Sequence, residues 1–373
     1  MKFIASAAFA LEGVVADELR SLGFSDVICR NNRVIFTSDI EGAARACVWL
    51  RSADRVSLLL DSFKAESFDE LFEGVAGIDW PLYLERNSRI CVDARCVRSR
   101  LMSQRDVQSI GKKAVITSMQ RRYRSAVFPE DGAAVSILIS VADDIAAVSV
   151  DLCGEGLHKR GYRLHSSEAP LRETLAAALL LLAGYDGTQT LLDPFCGSGT
   201  IPIEGAMIAR RIAPGRSRNF LAQGYRWCAK EFERQKAAAF DCETTGHEEI
   251  LCGDIDRAMT EMTAFHAGRA GVADALKVSC ADARSWEPYQ FCGRLVTNPP
   301  YGERILDKQS AFELMHDFSA VVSRLLEQLW SVGVLTPETG LEDVFFAKSS
   351  SKRRIFNSNI PCVYYRFGEN IFK

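Results

Sequence analysis

Residues 190–205 read TLLDPFCGSGTIPIEG, and no other stretch restricts the fold as far. Thr190, Leu191 and Leu192 have the character of a buried strand end. Asp193-Pro194 stops the strand, because proline brings no N–H to a ladder. Phe195 to Gly199 can only be a tight turn, and Gly197 and Gly199 give it backbone freedom. From Thr200 to Arg211 the apolar residues recur at helical spacing. Strand, glycine turn, helix is the opening unit of a nucleotide-binding α/β sheet. A dinucleotide site puts a third glycine three residues after the second, where this chain has Pro202. A phosphate loop needs a Gly-Lys-Ser/Thr run, and no lysine follows Gly199. Asp193, just before the turn, suits a ligand with a cationic, amine-bearing end better than a pyrophosphate. S-adenosylmethionine, positive at its sulfonium and amino groups, fits. Asp193, Phe195, Gly197 and Gly199 are therefore candidate cofactor residues.

The later strands extend the site. Ile250 to Cys252 reads as a second strand ending in Gly253-Asp254-Ile255-Asp256. An acid there can accept from both ribose hydroxyls of a nucleoside, a role that falls to Asp254, while Asp256 caps the helix at 257–270. A third strand, Leu276 to Cys280, precedes Asp282, which either accepts from an adenine amine or caps the strand end. A fourth strand, Gly293 to Thr297, ends in Asn298-Pro299-Pro300-Tyr301-Gly302. The exocyclic amine of a nucleobase is a poor nucleophile, because its lone pair is delocalised into the ring. The Asn298 side-chain oxygen and the Pro299 carbonyl can accept both its N–H groups, with Pro300 fixing the carbonyl's direction. Tyr301 can stack on a flipped base. The tetrapeptide also suits adenine, cytosine and glutamine-amide methylation. No metal is required. The chain should close with a helix at Phe312–Trp330 and strands at Val332–Leu335, Val344–Ala347 and Val363–Phe367. Lys352-Arg353-Arg354 would lie between the last two strands, as a solvated loop or an RNA contact.

The first half reads differently. Lys2–Ala5, Arg33–Thr37 and Arg55–Leu60 are strand-like, and Glu12–Leu22 and Ile40–Leu50 are helical. This β-α-β-α-β alternation suggests a small α/β or ferredoxin-like module over 1–60. In 61–155, helices are expected at Phe68–Val75 and Val107–Tyr123, and strands at Arg89–Val97, Val135–Val141 and Ala146–Leu152. From Arg86 to Arg124 there are eleven basic residues and two acids, a local charge of +9 inside a chain of net charge -3. Such an excess is an electrostatic footprint for a phosphate backbone. Arg95, Arg98, Arg100, Lys112, Lys113, Arg121, Arg122 and Arg124 are its candidate RNA contacts. A second cluster, His158-Lys159-Arg160 with Arg163, either leads RNA onward or solvates a glycine-rich linker. The apolar N-terminus is interrupted by Glu12, Asp17 and Glu18, and the longest apolar run is too short to span a bilayer. A soluble cytoplasmic protein is expected. The 12 cysteines contain no C-x-x-C pair and sit singly among apolar neighbours, as at Cys153, Cys252 and Cys280. They read as reduced, mostly buried thiols.

Four motifs in order now carry a resemblance: Gly156-Leu-His-Lys-Arg-Gly-Tyr-Arg163, Ala169-Pro-Leu-Arg-Glu-Thr-Leu-Ala-Ala-Ala178, Asp193-Pro-Phe-Cys-Gly-Ser-Gly-Thr-Ile-Pro-Ile-Glu204 and Asn298-Pro-Pro-Tyr-Gly302. The chain resembles the THUMP-domain class I RNA (guanine-N2)-methyltransferases over nearly its whole length. The resemblance implies an α/β chain: a ferredoxin-like module (1–60), a THUMP domain (61–155), then a linker and a Rossmann-like methyltransferase domain with a seven-stranded sheet (156–373). It implies S-adenosylmethionine as cofactor and RNA as partner, 23S rRNA foremost, with tRNA-modifying relatives sharing the motifs. Two other readings compete: an amide or protein methyltransferase, which leaves the basic segment idle, and a non-catalytic ribosome-assembly factor, against which the intact Asp193, Gly197, Gly199 and Asn298 speak.

Overall fold

The computed structural model describes residues 1–125, 127–164, 171–246, 249–287, 290–301 and 308–368. Its strands form two seven-stranded sheets. The first begins β1 (Lys2–Ala7), α1 (Glu12–Ser21), β2 (Val27–Arg30), β3 (Arg33–Thr37), α2 (Ile40–Trp49), β4 (Ala53–Lys64). The expected β-α-β-α-β order thus lacks a strand: β2 is short and mostly exposed, with little apolar pattern to announce it. Then follow α3 (Phe68–Ala76), β5 (Arg89–Val97), α4 (Gln104–Tyr123), β6 (Ala134–Ala142) and β7 (Ile145–Asp151). The strand order is β2-β3-β1-β4-β7-β6-β5. Strand β4 pairs with β1 on one edge and β7 on the other. The ferredoxin-like unit and the following unit therefore share one continuous sheet and one apolar core, from Phe3 and Phe36 to Ile137 and Val148.

The second sheet is built from α5 (Glu173–Leu182), β8 (Leu191–Asp193), α6 (Thr200–Ala209), α7 (Ala229–Asp241), β9 (Ile250–Asp254), α8 (Arg257–Ala270), β10 (Leu276–Cys280), β11 (Arg294–Thr297), α9 (Lys308–Glu327), β12 (Ser331–Thr336), α10 (Leu341–Val344), β13 (Ser351–Asn357) and β14 (Ile360–Phe367). Its order is β10-β9-β8-β11-β12-β14-β13. The pairs from β10 to β12 are parallel, and β14 and β13 join antiparallel. The order reverses between β8 and β11, which opens the ligand crevice of a doubly wound sheet at their carboxyl ends.

Three expectations fail here. Val344–Ala347 is not a strand: Val344 ends α10, and the chain turns at Phe345 and Phe346. The edge strand is β13, so Lys352-Arg353-Arg354 lies within it and not in a loop. Charges on an edge strand discourage pairing with another chain, and Lys352 forms an ion pair with Glu342. Ser166, Ser167 and Pro170, whose sequence pattern suggests a helix start, lie outside the described residues. All twelve cysteines are free, but Cys280, expected among buried thiols, is exposed. Among the described residues no helix is long and apolar enough to cross a membrane.

The linker cluster has a structural role. Arg160 is buried against Glu204 of α6, with Nε 3.3 Å from Oε1, and Tyr162 donates its hydroxyl to the same oxygen at 3.2 Å. Arg163 donates to the Leu171 carbonyl at 3.2 Å and to the Thr200 hydroxyl. Arg51, also buried, donates to the Ile212 carbonyl at 2.9 Å. These guanidiniums satisfy buried carbonyls and two carboxylates, Glu204 and, through Arg163 at 3.7 Å, Glu173, as a buried cation requires.

Candidate active site

The glycine turn is clamped from two sides. Cys196 N donates to the Gly253 carbonyl at 2.9 Å, which ties the turn to β9. From α8, Thr263 donates to the Gly197 carbonyl at 2.8 Å, and His266 Nδ1 lies 3.0 Å from the Ser198 carbonyl. Thr263 and His266 are fully buried and three residues apart, hence on one helix face. Sequence reading missed both; two polar residues in step with the buried face of α8 are the signal that could have found them. Gly199 has φ +86°, and a Cβ there would lie 2.8 Å from Thr263 Cγ2, so only glycine fits. Gly197 has φ +52°, and a Cβ there would meet nothing within 4 Å. The turn is thus open at Gly197, in front of the α6 N-terminus.

Acids stand at the carboxyl ends of β8, β9 and β10. Asp193 is buried, and its Oδ1 accepts from the Thr297 hydroxyl at 2.6 Å and from Phe195 N at 3.3 Å. Burial raises its pKa to about 7 despite these bonds, and Asp254 nearby adds to the rise. Asp254 accepts from Gly197 N at 3.0 Å and from Asp256 N at 2.9 Å, so it joins the end of β9 to the glycine turn. Asp256 caps α8 through Ala258 N at 2.8 Å. Between them Ile255 is 71% exposed, an apolar side chain beside an acid at the crevice that the sequence reading passed over. Asp282 caps the turn after β10 through Arg284 N at 2.9 Å, and it pairs with the Arg284 guanidinium at 2.6 Å, which holds its carboxyl below the usual range. Phe195 packs edge-on against Phe318 of α9, centroids 5.1 Å apart.

Across the crevice stands the tetrapeptide. Thr297 ends β11, and its bond to Asp193 ties the two halves of the site together. Asn298 Oδ1 is buried and has no hydrogen-bond partner among the described residues. Such an acceptor is costly to leave unmet. Pro299 is buried and Pro300 half-buried. The Tyr301 ring is buried too, and its hydroxyl accepts from Asn357 Nδ2 of β13 at 2.7 Å. Gly302 lies outside the described residues. The shape and charge fit an elongated nucleoside with a cationic end: open backbone at Gly197, an acid at each of three strand ends, and an unmet acceptor opposite.

The basic segment splits in space. Strands β5 and β6 are parallel, so the intervening α4 runs antiparallel to both. Its 20 residues span about 30 Å. Arg121, Arg122 and Arg124 gather at its C-terminal end, near Arg86, whose Nη2 is 3.4 Å from the Ser125 hydroxyl. Arg95, Arg98 and Arg100 lie at the other end. Acids from outside the segment fold back on part of it: Arg98 pairs with Asp143 at 2.9 Å, Arg100 with Glu66 at 3.0 Å and Lys112 with Glu130 at 3.2 Å. Lys113 sits over the Phe72 ring at 6.0 Å. Arg95, Arg121, Arg122 and Arg124 are exposed and make no ion pair among the described residues.

Three family models match the chain: the RlmL ferredoxin-like domain over residues 2–57, the THUMP domain over 65–151, and the RMKL-like methyltransferase domain over 160–366. The chain is 36% identical over 378 residues to YpsC of Bacillus subtilis, whose name proposes an RNA methyltransferase; the match covers 99% of this chain and 96% of YpsC. It is 31% identical over 379 residues to the ribosomal RNA large subunit methyltransferase K/L of a Marinomonas species, covering 96% of this chain but 51% of that protein. The chain thus spans about half the length of its K/L relatives. Among solved structures, SMU.472, crystallised with SAH, superposes with a TM-score of 0.93 at 35% identity, covering 100% of this chain and 99% of that one.

Proposed function

The chain belongs to the RMKL-like methyltransferases, and we propose that it methylates the exocyclic N2 amine of a guanine in RNA, 23S rRNA foremost, with S-adenosylmethionine as donor. The observation that carries this is the buried, unmet Oδ1 of Asn298, one residue after the threonine bonded to Asp193. In this reading Asp193 faces the donor's amino group, Gly197 and Gly199 pass under it, Asp254 accepts from the ribose hydroxyls and Asp282 from the adenine amine, with Ile255 against the adenine face and Phe195 packed nearby. The bound donor supplies an electrophilic methyl group on a sulfonium sulfur.

The chain's own residues supply the rest. Asn298 Oδ1 and the Pro299 carbonyl accept the two N–H groups of the target amine. This turns the nitrogen lone pair toward the methyl carbon, a matter of positioning and of preorganised acceptors. With the donor bound, its methyl would pass to this nitrogen, the S–C bond giving way to the new N–C bond, and the extra amine proton would leave to water. Neither the glycine turn nor the tetrapeptide contains a histidine, so no general-base histidine is invoked. RNA docks through the exposed arginines of the second unit, Arg95, Arg121, Arg122 and Arg124, with Arg98, Arg100, Lys112 and Lys113 as weaker contacts because acids or an aromatic ring already engage them. A ribosomal substrate would be met in the cytoplasm.

The test is nuclease digestion and mass spectrometry of ribosomal and transfer RNA from a deletion strain. Loss of one N2-methylguanosine from 23S rRNA is the expected result. Loss from tRNA would move the substrate, and loss of N6-methyladenosine would overturn the base.

A further inference from the structure

Beside the tetrapeptide lies a cleft of about 340 Å³. Pro299, Pro300 and Tyr301 line it from the tetrapeptide side. Opposite elements contribute Phe312 and His316 of α9, Phe346 after α10, and Glu338 after β12. The three rings form an open aromatic cluster: Phe312 to His316 is 6.4 Å between centroids, and His316 to Phe346 is 6.4 Å. Phe312 is 50% exposed and Phe346 82%. The Tyr301 ring, by contrast, is buried and fixed by Asn357, so it presents a wall more than a mobile stacking face.

Phe346 is the most exposed large apolar side chain among the described residues. It has φ +49°, the left-handed conformation that follows a helix and is usually filled by glycine. A bulky side chain there is strained. Burial does not offset the strain, since most of the ring faces solvent. A strained, exposed aromatic at the rim of a cleft that begins at Pro299 needs a reason outside folding. Glu338 follows β12, two residues past Thr336. Thr297 of β11 pairs with Val334 of β12, so Asn298 and Glu338 both lie just past the carboxyl edge of adjacent strands. Glu338 N donates to the Thr336 hydroxyl at 3.1 Å, which fixes the chain there, and its carboxylate makes no ion pair among the described residues.

We propose that this cleft receives the flipped target guanine, with Phe346 as its stacking face and Glu338 accepting from the ring N1–H beside the amine held by Asn298. The proposal rests on the guanine-N2 reading and deepens it. Guanine carries a proton on N1 next to its amine; adenine carries a lone pair on N1 next to its own. A carboxylate at that edge attracts the first and repels the second. Glu338 thereby makes the choice between bases that the Asn-Pro-Pro-Tyr sequence leaves open.

Two variants test this on RNA from the deletion strain, once the modified position is mapped, with an adenosine-substituted copy of that RNA as second substrate. Phe346→Gly should lower kcat/KM about five- to a hundredfold, the range of one lost base–aromatic stack, while cofactor affinity is kept and Tm stays level or rises because the strain is relieved. A structural role for Phe346 would lower Tm instead, and that result, or unchanged kcat/KM, overturns its assignment. Glu338→Gln can donate to adenine N1, so the guanosine-to-adenosine preference should shrink at least tenfold. An unaltered preference overturns the edge-reading role. If the wild-type protein methylates no guanosine in any RNA, the guanine-N2 reading itself falls. That failure is seen in the unmutated protein and is separate from either variant's result.

Discussion

The Thr297 hydroxyl donates to Asp193 Oδ1 at 2.6 Å, and this bond joins the strand end that carries the glycine turn to the strand end that carries Asn298. In our reading this contact aligns donor site and acceptor site across the β8–β11 switch point. Thr297→Val should keep the fold and loosen that alignment. We expect kcat to fall more than KM for RNA rises, read by steady-state kinetics; a pure KM effect would show that the contact does not set the alignment.

The same contact bears on pH. Burial lifts Asp193 to about 7, above its unfolded value, so between the two the folded state holds a proton that the unfolded state has lost. Its contribution to stability is complete below about pH 4 and is lost as pH rises through 7, on the order of 4 kcal/mol in all. Comparing thermal melts of wild type and Asp193→Asn from pH 4 to 8, without cofactor, isolates it. The Asn variant should lose this part of the slope, and parallel curves would show that Asp193 titrates normally. An amine ligand favours the charged carboxylate, so cofactor affinity should climb toward pH 7 in wild type only.

Asp254 has a double task. It holds Gly197 N and Asp256 N and, in our reading, the ribose. Asp254→Ala should weaken S-adenosylmethionine binding by about 1.5–3 kcal/mol, or roughly tenfold to over a hundredfold. Calorimetry that finds wild-type affinity would remove Asp254 from the cofactor site.

Arg121, Arg122 and Arg124 are free of ion pairs among the described residues and lie together at the end of α4. Replacing all three with alanine should flatten the slope of log K against log salt by about 2, since each phosphate contact contributes roughly 0.7–0.9. The equivalent change at Arg98 and Arg100 should do less, because Asp143 and Glu66 already neutralise them. Equal effects, measured by salt-titrated RNA binding, would place the footprint elsewhere.

Much of the second sheet was legible because buried parallel strands are short apolar runs bounded by turn residues, as at Leu191–Asp193 and Arg294–Thr297. Val344-Phe345-Phe346 misled for the same reason: three apolar residues in a row read as a strand, yet a short helix buries Phe345 and turns Phe346 outward. The real edge strand was masked by its charges at Lys352–Arg354. The linker arginines were ambiguous because sequence shows charge but not partner, and Glu204, which takes Arg160, is 44 residues away. The glycine turn and the tetrapeptide could be read because their chemistry is local. Glu338 and Phe346 could not, because only the fold brings them to one cleft with Pro299 and Tyr301.

Asn298 supports the last expectation. Its side-chain oxygen is the one acceptor of the crevice that is both buried and unmet among the described residues at the tetrapeptide. It takes part in no hydrogen bond that holds the glycine turn. Asn298→Ala should therefore leave cofactor affinity and Tm near wild type, since it removes a polar atom whose burial was uncompensated. Methyl transfer should fall by 100-fold or more, on the order of the loss of one preorganised hydrogen-bonding group at a reacting centre. Single-turnover methylation of RNA from the deletion strain, beside calorimetric cofactor binding, separates the two effects. A variant that keeps its turnover would show that the amine is gripped elsewhere. A variant that loses both turnover and cofactor would show that Asn298 serves the donor.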